Sequence, residues 1–313
     1  MNVAVLSGGV GGARFVRGLV DAVDPAGVTV IGNVGDDLEV FGLHVSPDLD
    51  SILYALADLN DDERGWGRAD ETWKALESAA ELGGDAWFRL GDRDLGLHLV
   101  RTESLRRGEP LSEVTAGLAE ALGIEARILP ATDDRLRTWV QTESGELEFQ
   151  DWFVRRGHRD EVVGVRYEGA EGARPAPGAL EALAEADLIV IAPSIPFVSI
   201  GPVLAVQEIR AAITNRRVPS VAVSPLIAGK AVKGPADRML NRLAGGTGPA
   251  QVTSCYKGLI DALVYDESDG EAELDVQPIV TRTLMSDADA RRKLAEAALS
   301  VAASTSVRHS SWP

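Results

Sequence analysis

The chain opens Met1-Asn2-Val3-Ala4-Val5-Leu6, continues Ser7-Gly8-Gly9-Val10-Gly11-Gly12-Ala13-Arg14, and then takes helical apolar spacing from Phe15 to Val23. That order predicts a strand, a glycine loop and a helix. Four glycines in five positions remove the side chains that keep backbone amides away from a ligand. The helix that follows aims its partly positive N-terminus at the same place, so the loop reads as a phosphate cradle. Neither common template fits. The small third residue of a dinucleotide fingerprint falls on Arg14, and a Walker loop needs a lysine that this segment lacks.

The same pattern recurs along the chain. Val28 to Ile31 leads into Gly32-Asn33-Val34-Gly35-Asp36-Asp37, Leu188 to Ala192 into Pro193-Ser194-Ile195-Pro196, and Val218 to Val223 into Ser224-Pro225. Ligands in open parallel sheets gather beyond the carboxyl ends of strands, so these loops predict one shared crevice. Helical spacing runs between them over Leu49 to Leu59, Asp70 to Leu82, Gly178 to Ala186 and Pro202 to Thr214. The predicted fold is α/β: an open, mostly parallel sheet flanked by helices.

Residues 1–60 and 157–303 are assigned to this core. Residues 61–156 read as an inserted capping subdomain, mainly helical, with a β-hairpin from Arg137 to Thr142 and Leu147 to Val154. Residues 304–313 lack apolar periodicity and read as a disordered tail.

Composition narrows the function classes. A formal charge of -17 disfavours a nonspecific nucleic-acid binder, because Lys and Arg supply most of that affinity. No apolar run reaches the length of a spanning helix, and the first residues read as a strand, not a leader; a cytoplasmic chain is expected. Cys255 is the only cysteine, which excludes an intrachain disulfide. It reads as a buried small residue. His44, His98, His158 and His309 have no metal-ligand spacing.

Carboxylates cluster at Asp36-Asp37 and Asp48-Leu49-Asp50. Asp48 follows Pro47 and precedes the apolar spacing of Leu49, Ile52, Leu53 and Leu56, so it reads as an N-cap or first-turn residue. Asp50 lies one turn in, beside a loop that already carries two acids. Such a cluster would repel a diphosphate without a divalent cation, and hard oxygen ligands suit Mg²⁺. Gly91-Asp92-Arg93-Asp94 reads as a helix cap, and Lys230 and Lys233 as surface charges or phosphate contacts beside a strand end. Trp66, Trp73, Trp87, Trp139 and Trp152 fall in the insert and offer core packing or a stacking wall.

These motifs resemble the CofD-type 2-phospho-L-lactate transferases of coenzyme F-420 biosynthesis, including the actinobacterial branch. The matching segments, in order, are Gly8 to Arg14, Asn33 to Asp37, Ser46 to Asp50, Leu90 to Asp94, Ala192-Pro193-Ser194 with Ser199-Ile200, and Val223-Ser224-Pro225. Glu63-Arg64-Gly65-Trp66-Gly67 and Asp70-Glu71-Thr72-Trp73 resemble the actinobacterial branch in particular. The family usually has Asn where this chain has Ile195. The resemblance implies a Rossmann-like core and a Mg²⁺-dependent phosphoryl-group transfer. A phosphoenolpyruvyl or 2-phospho-L-lactyl group would pass from a GDP-activated donor to the ribityl hydroxyl of the deazaflavin Fo, with release of GMP. It further implies Gly9, Gly11, Gly12, Arg14, Ser194 and Lys230 at the donor, and Asn33, Asp50 and Trp87 at Fo. Asp50 and Asp36 would bind metal, with Asp36, Asp37 and Asp50 as the catalytic acids. The expected partners are these small molecules, with no nucleic acid or membrane, and a homodimer is the assembly allowed for. A nucleotide-sugar or dinucleotide-binding regulator with the same fold is the rival reading.

Overall fold

A computed structural model describes residues 1–309, with side chains for 1–302. Seven parallel strands form the central sheet: β1 (Val3–Ser7), β2 (Val28–Gly32), β3 (Arg127–Pro130), β4 (Leu188–Ile191), β5 (Ser220–Val223), β6 (Ala262–Asp266) and β7 (Gln277–Thr281). Their spatial order is β3-β2-β1-β4-β5-β6-β7. Val3 of β1 stands beside Val28 on one side and Leu188 on the other, so the chain leaves β1 toward opposite edges before and after its long excursion. This is the strand order of the doubly wound dinucleotide fold, whose topological switch lies between β1 and β4.

Side chains alternate between two cores, as the strand period requires. Val3, Val5, Val28, Val30, Leu188, Val190, Val221 and Val264 face one layer; Ala4, Leu6, Ile31, Ile189, Ile191, Ala222 and Leu263 face the other. The first layer is covered by α1 (Gly9–Val20), α2 (Pro47–Leu56) and the C-terminal helix Ala288–His309. The second is covered by Ala179–Glu185, Gln207–Thr214 and Pro249–Cys255. With both faces buried, central strands such as Leu188–Ile191 are apolar throughout.

The stretch 61–156 is not a separate insert. Its Arg127–Pro130 segment is β3, paired with β2 from Thr29↔Arg127 to Gly32↔Pro130, and closes one edge of the main sheet. α3 (Lys74–Glu81), α4 (Asp92–Arg106) and α5 (Leu111–Ala121) precede it, and Leu97, Leu111, Val114 and Leu118 join the first core layer. The hairpin forms between Arg137–Thr142 and Gly145–Glu148, but a π-helical turn, Asp151–Arg155, replaces the rest of the second strand. Val162–Glu168 adds a third antiparallel strand that the sequence reading missed. This small sheet docks on the core where Thr138 N–H donates to Gly35 O at 2.6 Å and Tyr167 Oη to Phe197 O at 2.5 Å. The backbone of the last helix runs on to His309, into the expected disordered tail; residues 310–313 lie outside the described residues. Among the described residues no single helix is long and apolar enough to cross a membrane.

Candidate active site

Three loops meet at the switch point: Gly8-Gly9 after β1, Asn33 to Asp37 after β2, and Pro193 to Ser199 after β4. Asn33 is the hub. It is fully buried, its Oδ1 accepts from Gly35 N–H at 2.8 Å, and its Nδ2 lies within 3.2 Å of Asp36 Oδ1, 2.9 Å of Asp48 Oδ2 and 3.2 Å of Val198 O. Its amide is therefore spent on holding the three loops together.

Asp48 belongs to the first turn of α2 but does not cap it. The N-cap position is Ser46, whose hydroxyl instead donates to Asp37 Oδ2 at 2.9 Å. The Asp48 carboxylate turns to Asn33 and to the Gly9 N–H at the start of α1. A carboxylate thus already sits at the helix N-terminus where the phosphate was expected. Asp36, buried as well, accepts from Gln150 Nε2 at 3.0 Å, so the small antiparallel sheet's neighbouring turn reaches into the site. Asp37 shares Oδ2 between Ser46 and His44 Nε2, the latter at 2.9 Å, while its Oδ1 is buried with no hydrogen-bond partner.

Burial pushes the Asp48 carboxyl up to about 6, against the pull of the Asn33 and Gly9 donors. Burial, then the charges of Asp48 and Asp37, raise Asp36 well above the usual carboxylate range. Among the described residues no lysine or arginine forms an ion pair with either carboxyl, and burial favours the neutral form of each. A carboxyl whose folded pKa is raised stabilises the fold while protonated, and that contribution is lost as pH rises through the folded value. Metal-free protein is expected to lose melting temperature from the ordinary carboxylate value of about 4 up to about 6, and Asp48→Asn to flatten that slope; an unchanged slope would place the titration elsewhere.

A divalent cation fits this chemistry. Two desolvated carboxylates without a cationic partner, Asp36 and Asp48, are what a hard cation would satisfy. Among the described residues no three acidic, His or Cys side chains converge on one point.

Asp50 is the main correction. Both of its oxygens are taken by the guanidinium of Arg101, a fully buried side chain on α4 whose Nη1 lies 3.1 Å from Oδ2 and whose Nη2 contacts Oδ1. Burial opposes the Arg101 charge, and the Asp50 carboxylate outweighs it. His98 Nδ1 stands 3.8 Å from Asp50, its Nε2 3.3 Å from Asp94, and Tyr54 donates to Asp94. Asp50 is thus held by a buried cation inside this network, each of its oxygens facing one Arg101 nitrogen. Arg101, His98, Gln150 and His44 carried no signal in sequence spacing.

The glycines divide in two. A Cβ on Gly11 would stand 2.7 Å from Pro193 O, and one on Gly12 2.5 Å from Ser7 Oγ and 2.7 Å from Ser194 Oγ. Both let α1 press on the β4 loop, whereas a Cβ on Gly9, at φ 68°, would meet Ser199 Oγ at an ordinary contact distance of 3.7 Å. Gly11→Val is accordingly expected to lower stability by about 1–3 kcal/mol as an overpacking change. A urea midpoint equal to the parent's would restore a pure ligand role.

Ser194 Oγ donates to Gly8 O at 2.7 Å and accepts from Gly8 N–H at 3.3 Å, bracing the loop against its neighbour. Arg14 pairs with Asp62 at 2.8 Å. Lys230 is 79% exposed and reaches only Asp237, at 3.8 Å. Trp87 packs with Leu38, Val40, Val45 and Leu90 under the Arg155 guanidinium, in a small cluster of its own. The Gly91 to Asp94 segment does cap helices, but by exchange: Asp92 accepts from Lys74 and Ala75 N–H at the start of α3, and Glu71 from Arg93 and Asp94 N–H at the start of α4.

Residues 3–305 match the family model described as 2-phospho-L-lactate transferase CofD. The phosphoenolpyruvate transferase of Streptomyces coelicolor is 44% identical over 313 residues, covering 96% of this chain and 98% of that protein. Those of Thermobifida fusca and Mycolicibacterium smegmatis are 41% and 38% identical, each aligned over 96% of this chain and over 98% and 99% of their own lengths. A UPF0052-family protein from Bacillus halodurans shares the fold, with a TM-score of 0.62 at 19% identity over 95% of this chain and 98% of its own. The switch-point site, the whole-chain match and relatives at this identity together place the chain in the CofD family of transferases.

Proposed function

We propose that the enzyme transfers a phosphoenolpyruvyl group from a guanosine-diphosphate-activated donor to the terminal ribityl hydroxyl of Fo, releasing GMP and forming dehydro coenzyme F-420-0. The observation that carries this reading is the Asp36–Asp48 pair at the N-terminus of α1, a desolvated, cation-hungry site at the switch point. The relatives' names favour phosphoenolpyruvyl over phospholactyl.

In the reaction the hydroxyl oxygen bonds to the distal phosphorus, the bond from that phosphorus to the bridging oxygen breaks, and GMP leaves with the electron pair. Mg²⁺ supplies charge neutralisation on the diphosphate, with Asp48 and Asp36 as the residues to hold it. Asp36, whose carboxyl is raised by burial and by the Asp48 and Asp37 charges, would hold the cation in its ionised form. Asp37 suits the hydroxyl proton, because its Oδ1 is buried and unpartnered while His44 and Ser46 fix Oδ2. Gln150 and Asn33 keep the carboxylates in place. Cys255 supports direct displacement without an enzyme intermediate: burial pushes its thiol up to about 11, and it is spent on Gln251 O.

The test is incubation with Fo, Mg²⁺ and either the enolpyruvyl or the lactyl donor, reading product mass and GMP. Transfer from the enolpyruvyl donor that stops with chelator is expected. GMP release without a new deazaflavin product would sink the proposal.

A further inference from the structure

A cavity of about 290 Å³ lies on the second core layer's side of the sheet, behind the turn Pro196–Ile200, and nothing described so far uses it. Small-molecule sites begin at about this size. Phe197 and Leu204 give it apolar walls, and Tyr167, Cys255, Tyr256 and Arg210 bring the polar groups. Two of these are already spent. Tyr167 Oη donates to Phe197 O at 2.5 Å, where any Cβ on Gly201 would overlap the hydroxyl, and Cys255 Sγ donates to Gln251 O at 3.3 Å. The other two are free. Tyr256 is only 1% exposed, yet its hydroxyl has no hydrogen-bond partner among the described residues, whereas a buried tyrosine hydroxyl ordinarily finds one. Arg210, on the helix Gln207–Thr214, is exposed and forms no ion pair among the described residues.

We propose that this cavity binds a small organic acid, with its apolar body against Phe197 and Leu204 and its carboxylate accepting from the Tyr256 hydroxyl and pairing with the Arg210 guanidinium. The chemistry is selective. A hydrocarbon would leave the buried Tyr256 donor without an acceptor, and a bare inorganic anion would leave the apolar wall in water. A cation would meet Arg210. The site is also separate from the crevice at the switch point: Phe197 lines the cavity, while the next residue, Val198, turns its carbonyl to Asn33 Nδ2 at 3.2 Å. The acid sits behind the catalytic loop.

The probes are phenylpropionate, phenylpropanol and inorganic phosphate, added to the metal-free full chain. Cys255 is the only thiol, so its alkylation by iodoacetamide reports on this cavity alone. Burial pushes that thiol up to about 11, and the reaction is run at about pH 9 to give enough thiolate. Phenylpropionate is expected to slow alkylation saturably, with half-protection at low millimolar concentration or below. Phenylpropanol should protect about tenfold more weakly, and phosphate not at all. Tyr256→Phe keeps the ring and its packing, and is expected to weaken the acid about tenfold at an unchanged melting temperature. Arg210→Gln is expected to weaken it about three- to tenfold, toward the alcohol, without moving the alcohol itself. Equal protection by acid and alcohol in the parent would leave only an apolar void and overturn the proposal. So would calorimetric binding of the acid with no protection of Cys255, or protection that neither variant weakens.

Discussion

Asp48→Asn is expected to cut turnover on the order of a hundredfold or more while holding or raising the melting temperature at pH 8. The two effects separate because the same burial that makes Asp48 an attractive cation ligand makes its ionised form a cost to the fold above about 6. Asparagine keeps an oxygen to accept from Asn33 Nδ2 and matches the carboxylate in volume, so the local geometry has no reason to collapse. What disappears is the charge. Outer-shell partners of metal ligands already cost about 10- to 100-fold when removed, and a ligand itself should cost no less. Near-parent turnover would remove Asp48 from the site chemistry.

The largest stability effect belongs to Arg101. Arg101→Met strands the buried Asp50 carboxylate, and Asp50→Asn strands the guanidinium; each is expected to lose about 3–5 kcal/mol by urea denaturation. Replacing both, as Asp50→Leu with Arg101→Met, should recover most of that, because a buried ion pair exchanged for apolar volume is often neutral. The double variant also separates two roles for Asp50. Retained Mg²⁺-dependent GDP binding in the refolded double variant fits a structural pair; its selective loss would return Asp50 to the metal.

The main strands were legible because both faces of a parallel sheet are buried, so Leu188–Ile191 and Ser220–Val223 appear as unbroken apolar runs. β3 and β7 were not, for the converse reason: Arg127–Pro130 is short and begins charged, and Gln277–Thr281 is an edge strand carrying Pro278. The crevice was readable from its loops, whereas the division of labour among its acids was not. Spacing puts Asp48 and Asp50 on the same first turn of α2, and only the tertiary arrival of Arg101 from α4 decides which one keeps a free charge. The glycine loop misleads in the same way. Gly11 and Gly12 look like ligand space from the sequence, and the packing partner that explains them, the Pro193 loop, lies about 180 residues away in the chain.

The exchanged caps of Glu71 and Asp92 bear on the order in which the molecule assembles. α3 is eight residues long and buries none of them, too short to persist alone in water. Its first amides are held by an acid that belongs to α4, and those of α4 by an acid that precedes α3. α3 therefore has no independent existence before α4 docks on the core, and the two N-termini open and close as one cooperative unit. Trp73 immediately precedes that unit and meets Trp66 at 6.2 Å, so opening the unit takes this aromatic contact with it.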